Sequence, residues 1–176
     1  MNHPIIETER LLLRPPIETD FPAWAAFLAD EEAARYIGGH QPPAMAWRSM
    51  AMIAGSWSLR GFGMFSVIEK ATGAWVGRLG PWQPEGWPGT EIGWGLARSA
   101  WGRGYATEGA AAATDWAIDM LSWTDLIHTI DPANMASKSV AARLGSRLLG
   151  DTLLPAPFGS QSVELWGQSA AEWGAR

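Results

Sequence analysis

The residues whose types and spacing most clearly suggest a chemical role form a short loop. This loop lies between a predicted strand, residues 91–96, and a predicted helix, residues 106–121. The loop contains Gly102 and Gly104, which carry no Cβ and let the backbone approach a ligand closely. The first N–H groups of a helix have no intrahelical partner and lie at the positive end of its dipole. The loop therefore predicts an anion-binding site, beside which Arg98 and Arg103 add positive charge.

Two phosphate-binding motifs share this strand–loop–helix order, and neither matches the loop. A P-loop has Lys and then Ser or Thr after its last glycine, whereas Tyr105 and Ala106 follow Gly104 here. A dinucleotide-binding fingerprint needs a third glycine or alanine, and the frame that begins at Gly102 has Thr107 in that place. The helix that follows is rich in small residues over 109–113, which would let it lie close to a sheet or a ligand.

A longer stretch carries a family resemblance. The run Trp101-Gly-Arg-Gly-Tyr-Ala-Thr-Glu108, preceded by Glu91-Ile-Gly-Trp94, resembles the acyl-CoA-binding motif of the GNAT superfamily of N-acyltransferases. It looks most like the RimJ/RimL-type branch, as does the opening Thr8-Glu-Arg10. Trp101 departs from the Gln or Arg of the wider superfamily pattern but matches that branch.

A second block strengthens the resemblance, which extends from residue 8 to about residue 164. Residues 134–145, from Asn134 to Gly145, resemble the GNAT Asn-x-x-Ala/Ser…Leu-Gly-Phe segment. In the family this helix packs beside the pantetheine arm of the cofactor, and the Asn contacts it. Two positions differ from the wider superfamily: Ala141 replaces a Tyr that acts as general acid, and Ser146 replaces a Phe.

The resemblance implies an N-acetyltransferase that uses acetyl-CoA as cosubstrate and lets a primary amine attack it directly in a ternary complex. The acceptor would be a small molecule or a protein N-terminus. Backbone pairing with the pantetheine is expected near Leu96, and cofactor contacts are expected from Asn134 and Ser137. The remaining predicted cofactor contacts lie in the loop: Trp101, Gly102, Arg103, Gly104, Tyr105, Ala106 and Thr107.

The catalytic assignments also follow from the resemblance. An alkylamine is mostly ammonium at pH 7 and must lose a proton before it attacks, so a general base is needed. Family precedent points to Glu91, although a surface carboxylate on an edge strand would show the same sequence pattern. Ser137 is the remaining hydroxyl for a general acid, and its alternative role is that of a helix cap.

The proline-rich loop before residue 91 is predicted to form the acceptor site. Trp82, Trp87 and Glu85 could together bind a protonated amine, because aromatic faces and carboxylates both favour a cation. In the alternative interpretation the two tryptophans simply fold onto the core. Five other tryptophans are predicted to be core residues: Trp24, Trp47, Trp57, Trp75 and Trp116.

Composition narrows the class of protein. The chain has 176 residues, 47% of them hydrophobic and 18% charged, which indicates one globular domain spanning residues 1–176. Its net charge of −5, without a Lys/Arg-rich stretch, argues against a nucleic-acid partner. We expect no membrane partner, no signal peptide and no metal site, and we predict a cytoplasmic monomer or homodimer without cysteine chemistry. Arg14, Arg78 and Arg147 are predicted to be surface charges.

The pattern of hydrophobic runs and turns predicts a mixed α/β (α+β) fold. With the resemblance it implies a GNAT fold, in which a central mixed sheet of six to seven strands is flanked by about four helices. The strands at 91–96 and 126–130 should splay apart, and the tail from Ser169 is left unassigned. Two other functions stay open: a non-catalytic acyl-CoA sensor and a tryptophan-rich module that binds carbohydrate or protein.

Overall fold

One mixed sheet runs through the molecule and carries the helices. The computed structural model describes residues 4–159 and 162–176. In these residues eight strands pair in the order β1-β2-β3-β4-β5-β6-β8-β7. The strands are β1 (Ile6–Glu7), β2 (Leu11–Arg14), β3 (Phe65–Glu69), β4 (Trp75–Trp82), β5 (Glu91–Leu96), β6 (Asp125–Ile130), β7 (Arg147–Leu153) and β8 (Ser162–Ser169).

Six α-helices accompany these strands in the described ranges. They are α1 (Phe21–Ala29), α2 (Glu31–Ala34), α3 (Pro43–Arg60), α4 (Tyr105–Leu121), α5 (Met135–Arg143) and α6 (Ala170–Gly174). Their ends follow local sequence signals. The Asp30 carboxylate caps α2 by accepting from two backbone N–H groups, and α3 ends at Gly61, whose φ of 76° is left-handed.

The predicted splay between neighbouring strands is present. β5 and β6 are parallel and pair only at Glu91 and Ile127. Just beyond that pair, side chains replace the backbone partners. His128 Nδ1 lies 2.7 Å from the Ile92 carbonyl oxygen, and Thr129 N donates to the Glu91 carboxylate at 3.2 Å. Because both backbone groups are satisfied in this way, the strands can separate without leaving either group unpaired.

The small-residue surface of α4 explains how closely that helix packs on the sheet. Gly109, Ala110, Ala113 and Ala117 are buried. A Cβ at Gly109 would lie 2.5 Å from Leu79 Cδ2, so a larger residue would force the Leu79 side chain to move. The sequence prediction that this helix lies close to the sheet is therefore confirmed.

The fold class is confirmed, with differences in detail. Eight strands and six α-helices replace the predicted six to seven strands and about four helices. α6 follows a capping box in which Ser169 accepts from Glu172 N and the Glu172 side chain accepts from Ser169 N. This Ser-x-x-Glu signal is visible in the sequence and was missed. The prediction that Trp47 is a core residue was wrong: it is 44% exposed and packs edge-on against Phe21.

Candidate functional site

A cavity of about 380 Å³ lies where β5 and β6 separate. Its wall includes residues of both strands, the start of α5 and one side of α3. The chain segments just before and just after α3 also contribute. It brings together five of the residues predicted from the sequence, namely Trp82, Trp87, Glu91, Asn134 and Ser137. The proposed base, the proposed acid and the predicted acceptor-site tryptophans thus share one space.

Glu91 lies in the wall of this cavity and is buried, with 5% of its surface exposed. One carboxylate oxygen accepts from Trp87 Nε1 at 2.5 Å, and the Thr129 hydroxyl donates at 3.0 Å. Burial raises the pKa of Glu91 to about 7 despite these donors. The side chain is therefore not a surface carboxylate at a sheet edge, and near neutral pH it can both accept and release a proton.

Ser137 and Asn134 stand at the start of α5. Asn134 Oδ1 accepts from Ser137 N at 3.1 Å, so Asn134 caps the helix, and the alternative role of Ser137 as its cap was wrong. Trp94 Nε1 donates to Ser137 Oγ at 3.2 Å. Because the hydroxyl oxygen accepts this bond, its own hydrogen remains available for donation. Ala141 is fully buried and carries no polar group, which leaves Ser137 as the hydroxyl on this helix that faces the cavity.

The glycine loop has the backbone that an anion site requires. Gly102 and Gly104 have φ values of 70° and 79°, in the left-handed region that other residues rarely adopt. Gly104 is the N-cap of α4, and no side chain caps this end of the helix. The first N–H groups of α4 are thus left for another partner, and the helix dipole favours an anion there.

The charged side chains of the loop are engaged elsewhere. Arg103 pairs with Glu69 at 2.6 Å, and Arg98 pairs with Asp30 at 2.6 Å and with Glu32 at 3.0 Å. These ion pairs offset part of the positive charge that the two arginines were predicted to add beside the anion site.

Internal bonds also hold the rest of the loop in place. Tyr105 donates from its hydroxyl to Glu69 at 2.6 Å, and the Trp101 indole donates to the Leu96 carbonyl at 2.8 Å. The carboxylate of Glu108, the last residue of the motif, accepts from the Thr8 hydroxyl at 2.6 Å and from Arg10 Nε at 2.7 Å. The opening Thr8-Glu-Arg10 thus holds the first turn of α4 in place through its hydrogen bonds to Glu108.

The predicted acceptor-site residues separate into two groups. Trp82 and Trp87 line the cavity, with ring centroids 6.4 Å apart in an edge-on arrangement, and Trp82 lies opposite Glu91 in the β4–β5 ladder. Glu85 is outside the cavity wall: its side chain is fully exposed and lies 3.4 Å from Arg60. The structure thus brings the two rings to Glu91 and leaves the Glu85 carboxylate in solvent.

Sequence reasoning missed a buried polar network behind Glu91. The Ile92 carbonyl can only accept, so His128 Nδ1 carries the proton and His128 Nε2 accepts from the Ser146 hydroxyl at 2.9 Å. Gln168 Nε2 in turn donates to Ser146 Oγ at 2.9 Å. Burial lowers the pKa of His128 to about 4, so the ring is neutral. Ser146, at the position where the wider superfamily pattern has Phe, thus joins His128 to Gln168 through its hydroxyl.

Arg78 and Arg14 also differ from their prediction as surface charges. Arg78 is half-buried and lines the cavity, and Arg14 forms two hydrogen bonds to buried Asp20 at 2.6 and 2.8 Å. Arg147 is exposed, as predicted. Residues 4–159 and 162–176 hold no cluster of three side chains able to bind a metal ion. None of the helices described is long and apolar enough to cross a membrane.

Comparisons with known proteins agree with this geometry. The profile of the acetyltransferase (GNAT) domain family matches residues 10–147. An acetyltransferase from Agrobacterium tumefaciens strain C58 is similar in structure, with a TM-score of 0.84 and 30% identity over 96% of this chain and 95% of that one. A GNAT-family acetyltransferase from Bacillus anthracis is similar with a TM-score of 0.78 and 24% identity, over 94% of this chain and 98% of that one.

A more distant likeness concerns the fold alone. The ribosomal L7/L12 α-N-protein acetyltransferase RimL is similar with a TM-score of 0.77 and 17% identity, over 96% of each chain. No curated protein matches the sequence significantly.

Proposed function

The chain belongs to the GNAT acetyltransferase family, and on that premise we propose that it moves an acetyl group from acetyl-CoA to a primary amine bound beside Glu91. The observation that carries this proposal is a buried carboxylate with a pKa of about 7, placed where β5 and β6 separate. A general base works best when its pKa lies near the operating pH. A protein that only binds acyl-CoA has no need of such a group.

The residues present fit the cosubstrate. The uncapped start of α4 with Gly102 and Gly104 would hold the pyrophosphate, and the β5 backbone beyond its single pairing point with β6 would face the pantetheine arm. Since the Leu96 carbonyl already accepts from Trp101, we assign this pairing to residues 93–95. Asn134 keeps its amide N–H groups to donate. When bound, acetyl-CoA would supply an acetyl group activated as a thioester.

The side chains of the cavity would then accept and donate the protons of the reaction. The acceptor enters as an ammonium beneath Trp82 and Trp87, and Glu91 takes its proton, directly or through a water. The amine nitrogen forms a bond to the carbonyl carbon as the carbon–sulfur bond breaks. Ser137 would donate its hydroxyl proton to the departing sulfur, and the second proton lost by the nitrogen would restore the hydroxyl through solvent.

Thiol release tests this function. The protein is mixed with acetyl-CoA and amines from separate classes: peptides with free N-termini, alkylamines, amino acids and aminoglycosides. We expect turnover with at least one class, with amide formation confirmed by mass. Binding of acetyl-CoA by calorimetry without turnover in any class would favour the sensor alternative. The low-identity likeness to RimL supports including peptides. We further propose that the protein acts in the cytoplasm, as a monomer or homodimer.

The pH dependence of kcat/KM for the acceptor should follow the ionisation of Glu91 in the free enzyme. Only the carboxylate can accept a proton, so activity is lost as pH falls through the pKa of about 7. We expect kcat/KM to rise from about pH 6 to about pH 8 and to fall about tenfold per pH unit on the acid side. The profile is measured with acetyl-CoA saturating and the acceptor well below its KM. A flat profile over this range would exclude Glu91 as the base.

The tryptophan pair should act on the acceptor side. Changing Trp82→Ala and Trp87→Ala together should raise acceptor KM and leave the acetyl-CoA Kd unchanged. Trp47→Ala is the matched control, since Trp47 lies outside the cavity. If the double variant loses thermal stability while acceptor kinetics hold, both rings serve the core.

A further inference from the structure

Arg78 is a cation of the cavity wall, and among the described residues no carboxylate is hydrogen-bonded to it. It lies on β4 opposite Gly95, and its Nε is buried without a hydrogen-bond partner. The contacts of its guanidinium are the Met64 sulfur, a weak acceptor, and the Trp24 ring, whose centroid lies 5.8 Å from Arg78 Cζ. Burial lowers the pKa of Arg78 to about 10, which leaves it charged at neutral pH.

Arg14 shows how the same chain treats another half-buried arginine. Arg14 has a side chain 21% exposed and binds Asp20 with both terminal nitrogens, at 2.8 and 2.6 Å. A guanidinium withdrawn from water is stable when a carboxylate and further acceptors satisfy it, and costly otherwise. Arg78 has no such partner in the described protein, so a bound anion would supply what is missing.

The other charged groups of the cavity are hydrogen-bonded elsewhere, although Glu91 and Arg78 attract each other through space. Glu91 is held by Trp87 and Thr129 at the far end of the β4–β5 ladder. Asp131 accepts from Ala133 N at the entry to α5. Arg48, from α3, is exposed in the same wall and adds a second positive charge, and no ion pair joins it to a carboxylate within the described ranges.

The Met64 side chain lies between Arg78 and Glu91, over the glycines of β5. Arg78 pairs with Gly95, and Glu91 pairs with Trp82, so the two positions are four residues apart along the ladder, roughly 13 Å. A Cβ at Gly93 would lie 2.7 Å from Met64 Cε and 3.4 Å from Glu91 Oε1, and the Met64 sulfur also contacts Arg78. A ligand that reaches from Glu91 to Arg78 would therefore pass along Met64, which belongs to the cavity wall and has a flexible side chain.

We propose that the acceptor is a small amine that also carries a carboxylate, with its amine at Glu91 and its carboxylate on the Arg78 guanidinium. The inference rests on the proposed function, because it names the substrate class of that same cavity. A planar guanidinium binds a carboxylate through two parallel hydrogen bonds, which gives both affinity and orientation. Apolar residues such as Ile37, Met52 and Ile53 would face the hydrocarbon part of such a molecule.

The experiment compares glycine, β-alanine, 4-aminobutyrate and 5-aminovalerate with their carboxamides, which lack the charge. In the wild type, kcat/KM for at least one amino acid should exceed that of its amide by about tenfold or more, as loss of a charge-assisted bond would give. Arg78→Met should remove this preference by lowering kcat/KM for the amino acid more than for its amide, and it should leave the acetyl-CoA Kd unchanged. The rates are compared at a pH above the pKa of Glu91, which the charge of Arg78 lowers. Arg78→Lys keeps the charge and should restore part of the preference. Arg147→Met, in an exposed ion pair away from the cavity, is the control.

Every other outcome would contradict the inference, and the quantity that changes would show which alternative role holds. Equal rates for acids and amides in the wild type, or turnover confined to peptides or alkylamines, would overturn it while the proposed function stands. A variant that only moves the pH midpoint would make Arg78 a residue that tunes Glu91, and one that weakens acetyl-CoA would make it a cofactor contact. The comparison of amino acids with their carboxamides uses only the wild type, so it tests the inference even if Arg78→Met does not fold. Absence of turnover with any amine would reject the proposed function itself.

Discussion

Replacing Glu91 with glutamine should lower kcat by about 10²–10⁴, the range typical for loss of a general base. The change keeps the shape of the side chain and removes the group that accepts the proton. The acetyl-CoA Kd should stay the same, since the carboxylate points into the cavity and contacts Trp87 and Thr129 rather than the glycine loop. The residual rate should no longer fall at acid pH, because the group whose protonation caused that fall is absent.

The control for this change is Glu18→Gln, a carboxylate outside the cavity whose side chain is exposed. Thermal unfolding must be measured for both variants, because the new amide would meet the Trp87 N–H, which is also a donor. A fall in kcat of less than about threefold in a folded Glu91→Gln protein would show that Glu91 is structural or that water serves as the base without it.

Gly104→Val should raise the acetyl-CoA Kd at least about tenfold, or about 1.4 kcal/mol. Gly104 has a φ of 79°, which a β-branched residue adopts only with strain, and a Cβ there would lie 3.4 Å from Arg10 Nη2. The substitution therefore disturbs the first turn of α4, where the pyrophosphate is proposed to bind. Calorimetry with acetyl-CoA measures the effect.

Gly73→Val separates strain from binding. Gly73 lies in the turn between β3 and β4 with a φ of 72° and open space around its Cβ position. It should cost stability in a similar way and leave cofactor affinity unchanged. If Gly104→Val folds and binds acetyl-CoA as tightly as the wild type, the loop is not the pyrophosphate site.

The loop and the helix after it were predictable because their signals are local. Glycines at 102 and 104 and small residues at 109–113 need no knowledge of the rest of the chain to indicate a tight turn and a closely packed helix. Both are present, with left-handed glycines and a buried small-residue surface. The start of α5 was predicted from the family block, and the structure assigns its cap to Asn134.

The environment of Glu91 was not predictable in the same way. Its burial, which raises its pKa, depends on the point at which β5 and β6 separate, and Thr129, whose hydrogen bonds offset part of that rise, is 38 positions away in sequence. Arg78 was misread because an arginine in a short strand usually faces solvent, whereas β4 is an inner strand whose surface borders the cavity. The exposed position of Glu85 likewise depends on how the loop folds and pairs with Arg60.

The most direct test of acetyl transfer in this cavity uses acetyl-CoA with an isotopically labelled acetyl group and an acceptor from the panel. The labelled amide and the free CoA thiol are measured in the same reaction, with wild type and Glu91→Gln compared at equal cofactor occupancy. We predict one labelled amide for each thiol released by the wild type, and a rate lower by about 10²–10⁴ for the variant. Tight acetyl-CoA binding without labelled amide from any amine, or equal rates for the two proteins, would contradict this mechanism.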